Sequence, residues 1–515
     1  MFLRVGNLDH DTVAIDLSSV QRVRPPDGAE GARTSVRPGD ILLSITAEVG
    51  MVGLVSENLG EAYVNQHVAL LRPLPSVYPA GFAYSLIDPH GLQAAARLAQ
   101  YGATKQGLGL DQVRGFEVPV PPLPEQHRIV EAIESYISRI DSAVETLKRV
   151  QTNLKRYRAS VLKAAVEGRL VPTEAELARE EGRDYEPASV LLDRILKERR
   201  RRWEESGRKG KYEEPTTPDI SGLPELPEGW CWATVEQLAC DVRYGTSAKT
   251  EETLTSGVPV LRMGNIVDGE LDFSSLKYLP AEHEEFPELL LHPGDLLFNR
   301  TNSAELVGKC AVFRAAQVDF SCASYLIRVR FFFDVTAEYV AAFINSAAGR
   351  AWASSVAVQQ VGQANVNGTK LKALVVPVPP AAEQVRIVAE MDRAFSVLKA
   401  SLMLIYQDQA RCIRLRQSIL KWAFEGKLVD QDPADEPAEV LLARIRAERV
   451  GQPQGNGKRG RGRPKGTDTA SPEQPPAALP HPLPATPIPQ AAQAPATAAR
   501  PTSAASKGQL PLFDK

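Results

Sequence analysis

The sequence predicts an α+β protein in which two mixed α/β domains are separated by long helices that pair as an antiparallel two-helix coiled coil. Three observations predict this fold class: an internal repeat, Pro-Gly-Asp turns that lead into apolar strands, and two long heptad patterns. The repeat gives the arrangement pseudo-two-fold symmetry. Residues 451–515 are rich in proline and alanine, and we expect them to form a disordered tail.

The composition fits a multi-domain globular protein. Of the 515 residues, 43% are hydrophobic and 24% are charged, enough for roughly two to four domains. The net charge is −3, so any contact with nucleic acid must come from local patches. Five cysteines without a C-x-x-C pair argue against a disulfide scaffold or a zinc site. Without a signal peptide or an apolar run near 18 residues, we expect a cytoplasmic protein that spans no membrane.

The repeat consists of blocks that recur in the same order, about 250 to 258 residues apart. The matching pairs are 2–8 with 260–266, 38–42 with 293–297, 118–130 with 376–388, 161–171 with 419–429, and 186–192 with 436–442. A unit of this length is far too long for a solenoid repeat. It indicates a duplicated pair of domains.

The two copies differ at their beginnings. Residues 223–259, which start Leu-Pro-Glu-Leu-Pro-Glu-Gly-Trp, have no counterpart before Phe2. The first domain is therefore interpreted as N-terminally incomplete, through truncation or a misassigned start codon.

Each copy begins with a globular part. The Pro-Gly-Asp triplets at 38–40 and 293–295 predict a turn followed by a strand, because proline presets the first turn angle and glycine allows a positive φ. Residues 64–71 and 325–333 are further predicted strands. Residues 90–101 and 336–352 are predicted as short helices.

Each copy then continues as a long helix with a 4-3 spacing of apolar residues, over 125–167 in the first copy. The predicted seam comprises Ile133, Ile137, Ile140, Val144 and Leu147 in one copy and Met391, Phe395, Leu398, Leu402 and Ile405 in the other. Pro124 suits the first turn, while Gly168 and Gly426 stand where a left-handed residue ends a helix. Two such rods can pair antiparallel and hold two globular heads apart.

Shorter amphipathic helices are predicted at 187–204 and 437–449. The predicted segments are a first domain at 1–123, a helical spacer at 124–204, a linker at 205–222, a second domain at 223–379, a second spacer at 380–450 and the tail at 451–515.

No catalytic constellation emerges from the sequence. The glycine-containing segment 362–370 lacks the spacing of a P-loop, and the seven histidines offer no metal-ligand pair. Glu125-Gln126 and Glu383-Gln384, which recur at the helix starts, are interpreted as packing features rather than acid–base groups. A duplicated protein without catalytic groups is most simply a bivalent binder.

The residues that recur resemble a known family. The motif V-P-x-P-P-x-x-E-Q-x-x-I-V stands at 118–130 and again at 376–388, each time before a long helix, and Leu-Pro-Glu-Gly-Trp stands at 226–230. This pattern, over about 1–450, resembles the specificity subunit of type I restriction–modification enzymes.

The resemblance implies a non-catalytic chain whose two target-recognition domains each read one half of a bipartite, asymmetric site in double-stranded DNA. It implies that the helical spacer sets the gap between the halves and docks two methyltransferase subunits. Restriction subunits complete the complex. We expect no cofactor or metal on this chain, with S-adenosylmethionine, ATP and Mg²⁺ on the partner subunits.

Candidate DNA contacts are loop residues with hydrogen-bonding side chains next to predicted strands. They are Ser44, Thr46, Lys105 and Gln106 in the first domain and Tyr244, Ser247, Lys249, Arg300, Asn302, Ser303, Gln363 and Asn365 in the second. An ordinary polar turn is the alternative for the segment 299–303. For Arg4 and Arg262, in the repeated Leu-Arg-x-Gly-Asn blocks, a structural role is favoured.

The tail carries two short motifs. The segment 458–465, with Arg461 and Arg463, resembles an AT-hook for narrow minor grooves, or is a basic stretch that adds nonspecific affinity. Gln509, Leu510, Leu512 and Phe513 resemble the peptide by which bacterial proteins bind the replicative sliding clamp. Two rival hypotheses for the whole chain are a coiled-coil scaffold that joins proteins and an enzyme with an unrecognised site.

Overall fold

The computed structural model describes residues 1–9, 12–24, 33–46, 48–88, 107–207, 209–252, 257–315, 319–360 and 363–451. The predicted helix at 90–101, the candidates Lys105 and Gln106, and the tail motifs at 458–465 and 509–513 lie outside these residues. The prediction that the tail is disordered also stays a prediction.

Short strands and helices form the first globular part. Its elements are β1 (Phe2–Leu3), β2 (Ile41–Ser44), β3 (Val52–Leu54), β4 (Tyr63–Val64), β5 (Val68–Leu71), α1 (Pro79–Leu86) and α2 (Leu110–Arg114). β2 is the centre of an antiparallel sheet in the order β3-β2-β5, and β1 pairs parallel with β4. The turn of Asn65 to His67, where Asn65 Oδ1 accepts from the His67 amide, divides the single strand predicted at 64–71 into β4 and β5.

Helices follow in the order α3 (Leu123–Val166), α4 (Glu174–Glu181) and α5 (Ala188–Glu205). The long helix and α5 agree closely with the predicted bounds. Gly168 has φ +67°, as expected for the residue that ends the long helix. The sequence reading missed α4, although Thr173 and Glu176 form a capping box at its start.

The second globular part has more strands. They are β6 (Cys231–Thr234), β7 (Ala239–Tyr244), β8 (Gly257–Leu261), β9 (Ile266–Val267), β10 (Glu270–Leu271), β11 (Lys277–Pro280), β12 (Leu296–Asn299), β13 (Thr301–Asn302), β14 (Cys310–Val312), β15 (Ser321–Cys322), β16 (Leu326–Phe331), β17 (Val358–Gln360), β18 (Gln363–Asn365) and β19 (Val375–Val378). The helices are α6 (Val235–Leu238), α7 (Ala337–Asn345), α8 (Ala347–Val356), α9 (Gly368–Lys372), α10 (Ala381–Phe424) and α11 (Ala438–Gly451).

The predicted helix at 336–352 is divided in two. Ser346 has extended backbone angles, and its Oγ accepts a hydrogen bond from the Gly349 amide, so it ends α7 and caps α8. The strand predicted at 325–333 is confirmed as β16 with slightly shorter ends.

The central sheets of the two halves share an order. The first is β3-β2-β5, and the second is β14-β12-β16-β7, with one strand more. β6, which also belongs to the segment without a counterpart in the first half, pairs antiparallel with β19.

The Pro-Gly-Asp turns precede the central strands as predicted, with φ +86° at Gly39 and +92° at Gly294. Asp40 is buried and paired with Arg72 at 2.6 Å, and Asp295 is buried and paired with Arg330 at 2.7 Å. Each aspartate also accepts a hydrogen bond from a backbone amide three residues earlier. The triplet therefore builds a turn and places a buried carboxylate beside the sheet.

α3 and α10 contact each other at both ends in opposite directions. Ile129 and Ile133 near the start of α3 share a core with Ile419 and Leu420 near the end of α10. Val161 near the end of α3 shares another core with the opposite end of α10. The two helices therefore run antiparallel, and each end lies in the core of a globular part.

The predicted seam residues are unevenly buried along the helices. Ile133, Ile137, Met391, Leu398 and Ile405 are buried. The remaining predicted seam residues, Ile140, Val144, Leu147, Phe395 and Leu402, are half-buried. In α3 the buried residues therefore lie near the two ends, whereas α10 also buries Leu398 and Ile405 in its middle.

Candidate nucleic-acid interface

The polar loops of the second half meet beside one end of its sheet. β12 leads directly to Arg300 and then to β13, and β13 pairs with β18, so that Thr301 stands opposite Asn365. β7, at the edge of the same sheet and separated from β12 by β16, ends at Tyr244. This topology brings three separately predicted segments, around 244, 300 and 365, to one place.

Arg300 is the centre of this group. Its guanidinium lies 4.9 Å from the centroid of the Tyr244 ring, within the range of a cation–π contact. Its Nη2 donates to Asn365 Oδ1 at 3.4 Å and its Nη1 to the Ser324 carbonyl at 3.3 Å. The buried Nε has no hydrogen-bond partner among the described residues. Because these hydrogen bonds are long, the Arg300 guanidinium is held in position while its N–H groups can still donate to a ligand.

Tyr244 is held in place while its ring stays accessible. Its hydroxyl accepts a hydrogen bond from the Gly368 amide at 2.8 Å, at the start of α9. The side chain is nevertheless exposed. An aromatic ring fixed at its tip with an arginine over its face is a rigid surface for planar or anionic ligands.

A cleft of about 940 Å³ lies next to this group. Ser247 and Asn302, both sequence candidates, line it together with Lys309 and Tyr325, which the sequence reading missed. Arg262, for which a structural role was favoured, lines it as well. Lys249, Ser303 and Gln363 are exposed on the same three loops.

The asparagine side chain fixes the geometry of the repeated Leu-Arg-x-Gly-Asn block. Asn265 Oδ1 accepts from the Arg262 amide at 2.8 Å, and its Nδ2 donates to the carbonyls of Asp272 and Ser275. Asn7 makes the same contacts with the Arg4 amide and two later carbonyls. The block is thus a repeated turn that fixes where each arginine emerges.

In the first half, equivalent backbone positions carry different side chains. The Ile45 amide donates to the His67 carbonyl, and the Ile45 carbonyl accepts from the Leu108 amide. In the second half, the Arg300 amide donates to the Tyr325 carbonyl, and the Arg300 carbonyl accepts from the Val366 amide. Ile45 therefore stands where the second half has its arginine. Thr46 Oγ1 lies 2.6 Å from His67 Nδ1, giving a polar pair that the sequence reading identified only in part.

Ser44 has a structural position. It is fully buried, and its Oγ accepts a hydrogen bond from the Met51 amide at 2.8 Å. We therefore leave Ser44 out of the proposed contact set. Thr46 stays a candidate because it is half-buried and lies at the end of the strand.

The repeated Glu-Gln pairs are structural groups, in agreement with the sequence interpretation. Glu383 is fully buried and accepts from Trp230 Nε1 at 3.0 Å and from the Glu174 amide at 2.9 Å. Burial raises the pKa of the Glu383 carboxyl above its usual value, although these hydrogen bonds oppose the shift. Gln126 and Gln384 each donate to a proline carbonyl five residues earlier.

The beginning of each long helix is held by the segment that follows the other helix. Arg386 near the start of α10 pairs with Glu174 at 2.5 Å, and Arg128 near the start of α3 pairs with Asp435 at 2.7 Å. Burial alone would raise the pKa of Glu174, but hydrogen bonds from Arg386 and Arg183 lower it overall. These two ion pairs join parts of the chain that are remote in sequence.

Comparison with known proteins shows which proteins this chain resembles. Residues 33–152 match the type I restriction modification DNA specificity domain. The chain is 28% identical to the EcoKI specificity subunit of Escherichia coli K12 over 65% of this chain and 64% of that one. It is 24% identical to the EcoBI specificity subunit of Escherichia coli over 81% of each chain.

The chain is similar to specificity subunits of type I restriction enzymes. It spans slightly less than two thirds of the length of the EcoKI relative. A solved structure from a study of complex assembly and conformational transition of the type I R-M system covers 83% of this chain and 91% of its own, with 17% identity and a TM-score of 0.52. That likeness extends to the fold, with its mixed strands and its two long helices.

Within the described ranges, no group of three or more His, Cys, Asp or Glu side chains is arranged to hold a metal ion. No helix in this part of the chain is long and apolar enough to cross a membrane. The cysteines are free thiols, and burial raises the pKa of Cys231 to about 11 and that of Cys322 to about 12.

Proposed function

We propose that this chain is a member of the specificity-subunit family and the non-catalytic targeting subunit of a type I restriction–modification complex that acts on chromosomal DNA in the cytoplasm, at the nucleoid. Each globular half reads one half of a bipartite DNA site. The paired helices set the gap between the two half-sites and dock two methyltransferase subunits. The observation that carries the proposal is the group formed by Arg300, Tyr244 and Asn365 at the edge of an open cleft.

The chemistry of this group suits a nucleic acid. Arginine forms bidentate hydrogen bonds with guanine in the major groove or pairs with a phosphate, and the side-chain amide of asparagine pairs with adenine. Ser247, Asn302 and Lys309 around the cleft add donors for phosphate and base edges.

Different side chains in the first half support an asymmetric target. Ile45 replaces the arginine, and the pair of Thr46 and His67 supplies the polar groups. Since base identity is read by donor and acceptor pattern, the two halves should recognise different sequences.

The paired helices support the roles in spacing and docking. α3 and α10 each contain 44 residues, about 66 Å of helix. α10 exposes large apolar side chains along its length: Val397, Met403, Leu404, Tyr406 and Ile413. Val397 and Leu404 lie one heptad apart on one side of α10, and Tyr406 and Ile413 lie one heptad apart on another side. Exposed apolar side chains in such numbers are typical of protein interfaces, and we assign them to the methyltransferase subunits.

The other partners follow from this assignment. Methyltransferase subunits would bring S-adenosylmethionine, and restriction subunits would bring ATP and Mg²⁺. Binding of the sliding clamp by the tail, and of A·T-rich DNA by its basic segment, stay predictions from the sequence.

The test begins with the chain bound to its methyltransferase partner. Methylation-sensitive sequencing identifies the gapped motif, and exchange of residues 223–379 for those of another family member should alter one half-site only. Arg300→Ala should then weaken binding of the target duplex about 5- to 150-fold and relax specificity at one base pair. Arg194→Ala is the matched control, because this exposed arginine pairs with Glu186 and Asp334 and stands on α5 rather than on the loops around 244, 300 and 365.

The salt dependence of DNA binding distinguishes this function from that of a protein scaffold. A DNA-reading subunit loses affinity for the duplex steeply as salt rises, because phosphate contacts release counterions. Unchanged target sequence after the exchange, or equal losses for the two arginine variants, would contradict the proposal.

A further inference from the structure

A short hairpin in the second half extends from the DNA cleft to the long helices. Its strands, β9 (Ile266–Val267) and β10 (Glu270–Leu271), are antiparallel and joined by a turn of two residues. These are Asp268, with φ +49°, and Gly269, with φ +78°. Positive φ at both central residues is the signature of the type I′ turn, which Asp-Gly favours in tight hairpins.

The base of this hairpin belongs to the lining of the DNA cleft. Arg262 and Ile266 both line the cleft, and Asn265 stands between them. Asn265 Nδ2 donates to the Asp272 carbonyl at 2.8 Å, and the Asp272 amide donates to the Asn265 carbonyl at 2.8 Å. Asn265 Oδ1 also accepts from the Arg262 amide. A displacement of the hairpin would therefore reach Arg262.

Both long helices hold the turn of the hairpin. Arg158 of α3 donates from Nη2 to the Asp268 carbonyl. The same guanidinium lies 4.3 Å from the centroid of the Phe395 ring of α10. Lys399 of α10 pairs with Glu270 at 2.8 Å. The turn is therefore fixed to the pair of helices by directional contacts.

These contacts matter because the outer part of the hairpin has little apolar support. Val267, Asp268 and Glu270 are exposed, and a cavity of about 540 Å³ lies beside the turn. A Cβ on Gly269 would lie 3.2 Å from Arg158 Nη2, so the turn approaches the guanidinium closely. Burial lowers the pKa of Arg158, and the carboxylates of Asp268 and Glu270 oppose this shift. The hairpin thus compensates a partly desolvated charge.

The corresponding helix residues of the first half make a different contact. Arg416 of α10 and Asp141 of α3 stand at the positions of Arg158 and Lys399, 258 residues away in each case. Arg416 pairs with Asp141, so these two side chains join the helices to each other. Arg158 and Lys399 carry like charges and cannot form such a pair, and both contact the hairpin. The same two positions therefore serve different contacts in the two halves.

We propose that Arg158 is a positioning residue for DNA reading by the second half. It holds the Asp-Gly turn against the long helices, and the hairpin in turn fixes Arg262 in the lining of the cleft. Lys399 supports the same turn through Glu270. This inference rests on the proposed DNA-reading function. It adds that the base preference of the second half depends on a side chain of the helical spacer.

The test uses the chain bound to its methyltransferase partner and duplexes in which one half-site at a time is altered. The measured quantity is discrimination, the ratio of the dissociation constants for the altered and the target duplex. Arg158→Met keeps an aliphatic side chain over Phe395 but removes the donor. It should lower discrimination at the second half-site about tenfold and leave that at the first unchanged. Arg158→Lys, which retains the charge, should restore most of the loss.

Arg416→Met is the matched control, because it removes the same side chain at the corresponding position of the first half. It should leave discrimination at both half-sites unchanged. A double variant separates positioning from a general loss of structure. If Arg158 acts through Arg262, adding Arg158→Met to Arg262→Ala should increase the loss caused by Arg262→Ala alone by less than about twofold.

Hydrogen exchange of the unmodified complex gives a measurement that depends on no variant. Binding of the target duplex should slow exchange of the Gly269 and Glu270 amides, although this turn lies against the long helices. Unchanged exchange there, equal losses for the Arg158 and Arg416 variants, equal losses at both half-sites, or fully additive losses in the double variant would overturn the positioning role. An unmodified complex without any discrimination would refute the DNA-reading function itself, and the positioning role with it.

Discussion

The indole of Trp230 offers a measurable test of how the second half is held to the long helices. Its Nε1 donates to the buried Glu383 carboxylate at 3.0 Å, and its ring contacts Tyr339. Trp230→Phe keeps an aromatic ring but removes the donor. A hydrogen bond to a charged group contributes about 1.5–3 kcal/mol, so we expect the free energy of unfolding to fall by about 2 kcal/mol at neutral pH.

Trp230→Ala should cost about 4 kcal/mol, since it also leaves a cavity in place of the ring. Urea denaturation, followed by circular dichroism, measures both variants. Trp203→Phe is the control, because Trp203 is half-buried beside Tyr212 on the surface of α5. Its substitution should change the unfolding free energy by less than about 0.5 kcal/mol.

The pH dependence makes this test specific to the carboxylate. Burial raises the pKa of Glu383 above the ordinary 4.5, so its contribution to stability is fully present below pH 4.5 and is lost as pH rises through the folded value. Without the indole donor, the folded pKa rises further, and stability should decline more steeply with pH. The charged neighbours of Glu383 are Glu174 and Arg386. They are present in both the unmodified chain and the Trp230→Phe variant, so their effects on the Glu383 pKa cancel when the two are compared.

The deficit of Trp230→Phe should therefore be largest near neutral pH and shrink as Glu383 becomes protonated. A deficit that is the same at acid and neutral pH would refute the role given to the hydrogen bond. A deficit below about 0.5 kcal/mol at neutral pH would do so as well.

Two further predictions concern the Pro-Gly-Asp turn of the second half. Asp295→Ala should lower the unfolding free energy by about 3 kcal/mol, because it leaves Arg330 without its buried partner. An unchanged denaturation midpoint would show that this ion pair makes no net contribution to stability. Gly294→Ala should cost about 1–2 kcal/mol through its φ of +92° alone, since a Cβ there meets no atom within 4 Å. Gly264→Ala, equally open but without a positive φ, should be neutral in the same thermal melt.

Sequence alone predicted the features that depend on local pattern. The heptad spacing predicted the first long helix within two residues at each end, and Gly168 and Gly426 mark the ends of the two long helices with φ near +67°. The Pro-Gly-Asp triplets gave β2 and β12 because proline and glycine restrict the same two turn angles in both copies.

Features that depend on distant contacts were not accessible in this way. A short strand such as β6 has little pattern of its own, and its pairing with β19 joins residues more than 140 positions apart. Equally, Tyr325 and His67 became visible as site residues only when the backbone hydrogen bonds aligned the two halves. The position of Ser44 before a polar loop does not reveal that its side chain is buried and bonded to the Met51 amide.

The way the helix ends are anchored limits how the distance between the two halves could change. One core combines Ile129 and Ile133 of α3 with Ile419 and Leu420 of α10, and the other combines Val161 with Met391 at the opposite ends. An insertion in one helix alone would displace that helix from one of these cores. Equal insertions of whole heptads in both helices would keep every contact and separate the cores by about 10 Å per heptad. The gap in a bipartite DNA site should therefore follow paired changes in α3 and α10, whereas exchanging either globular half should leave it unchanged.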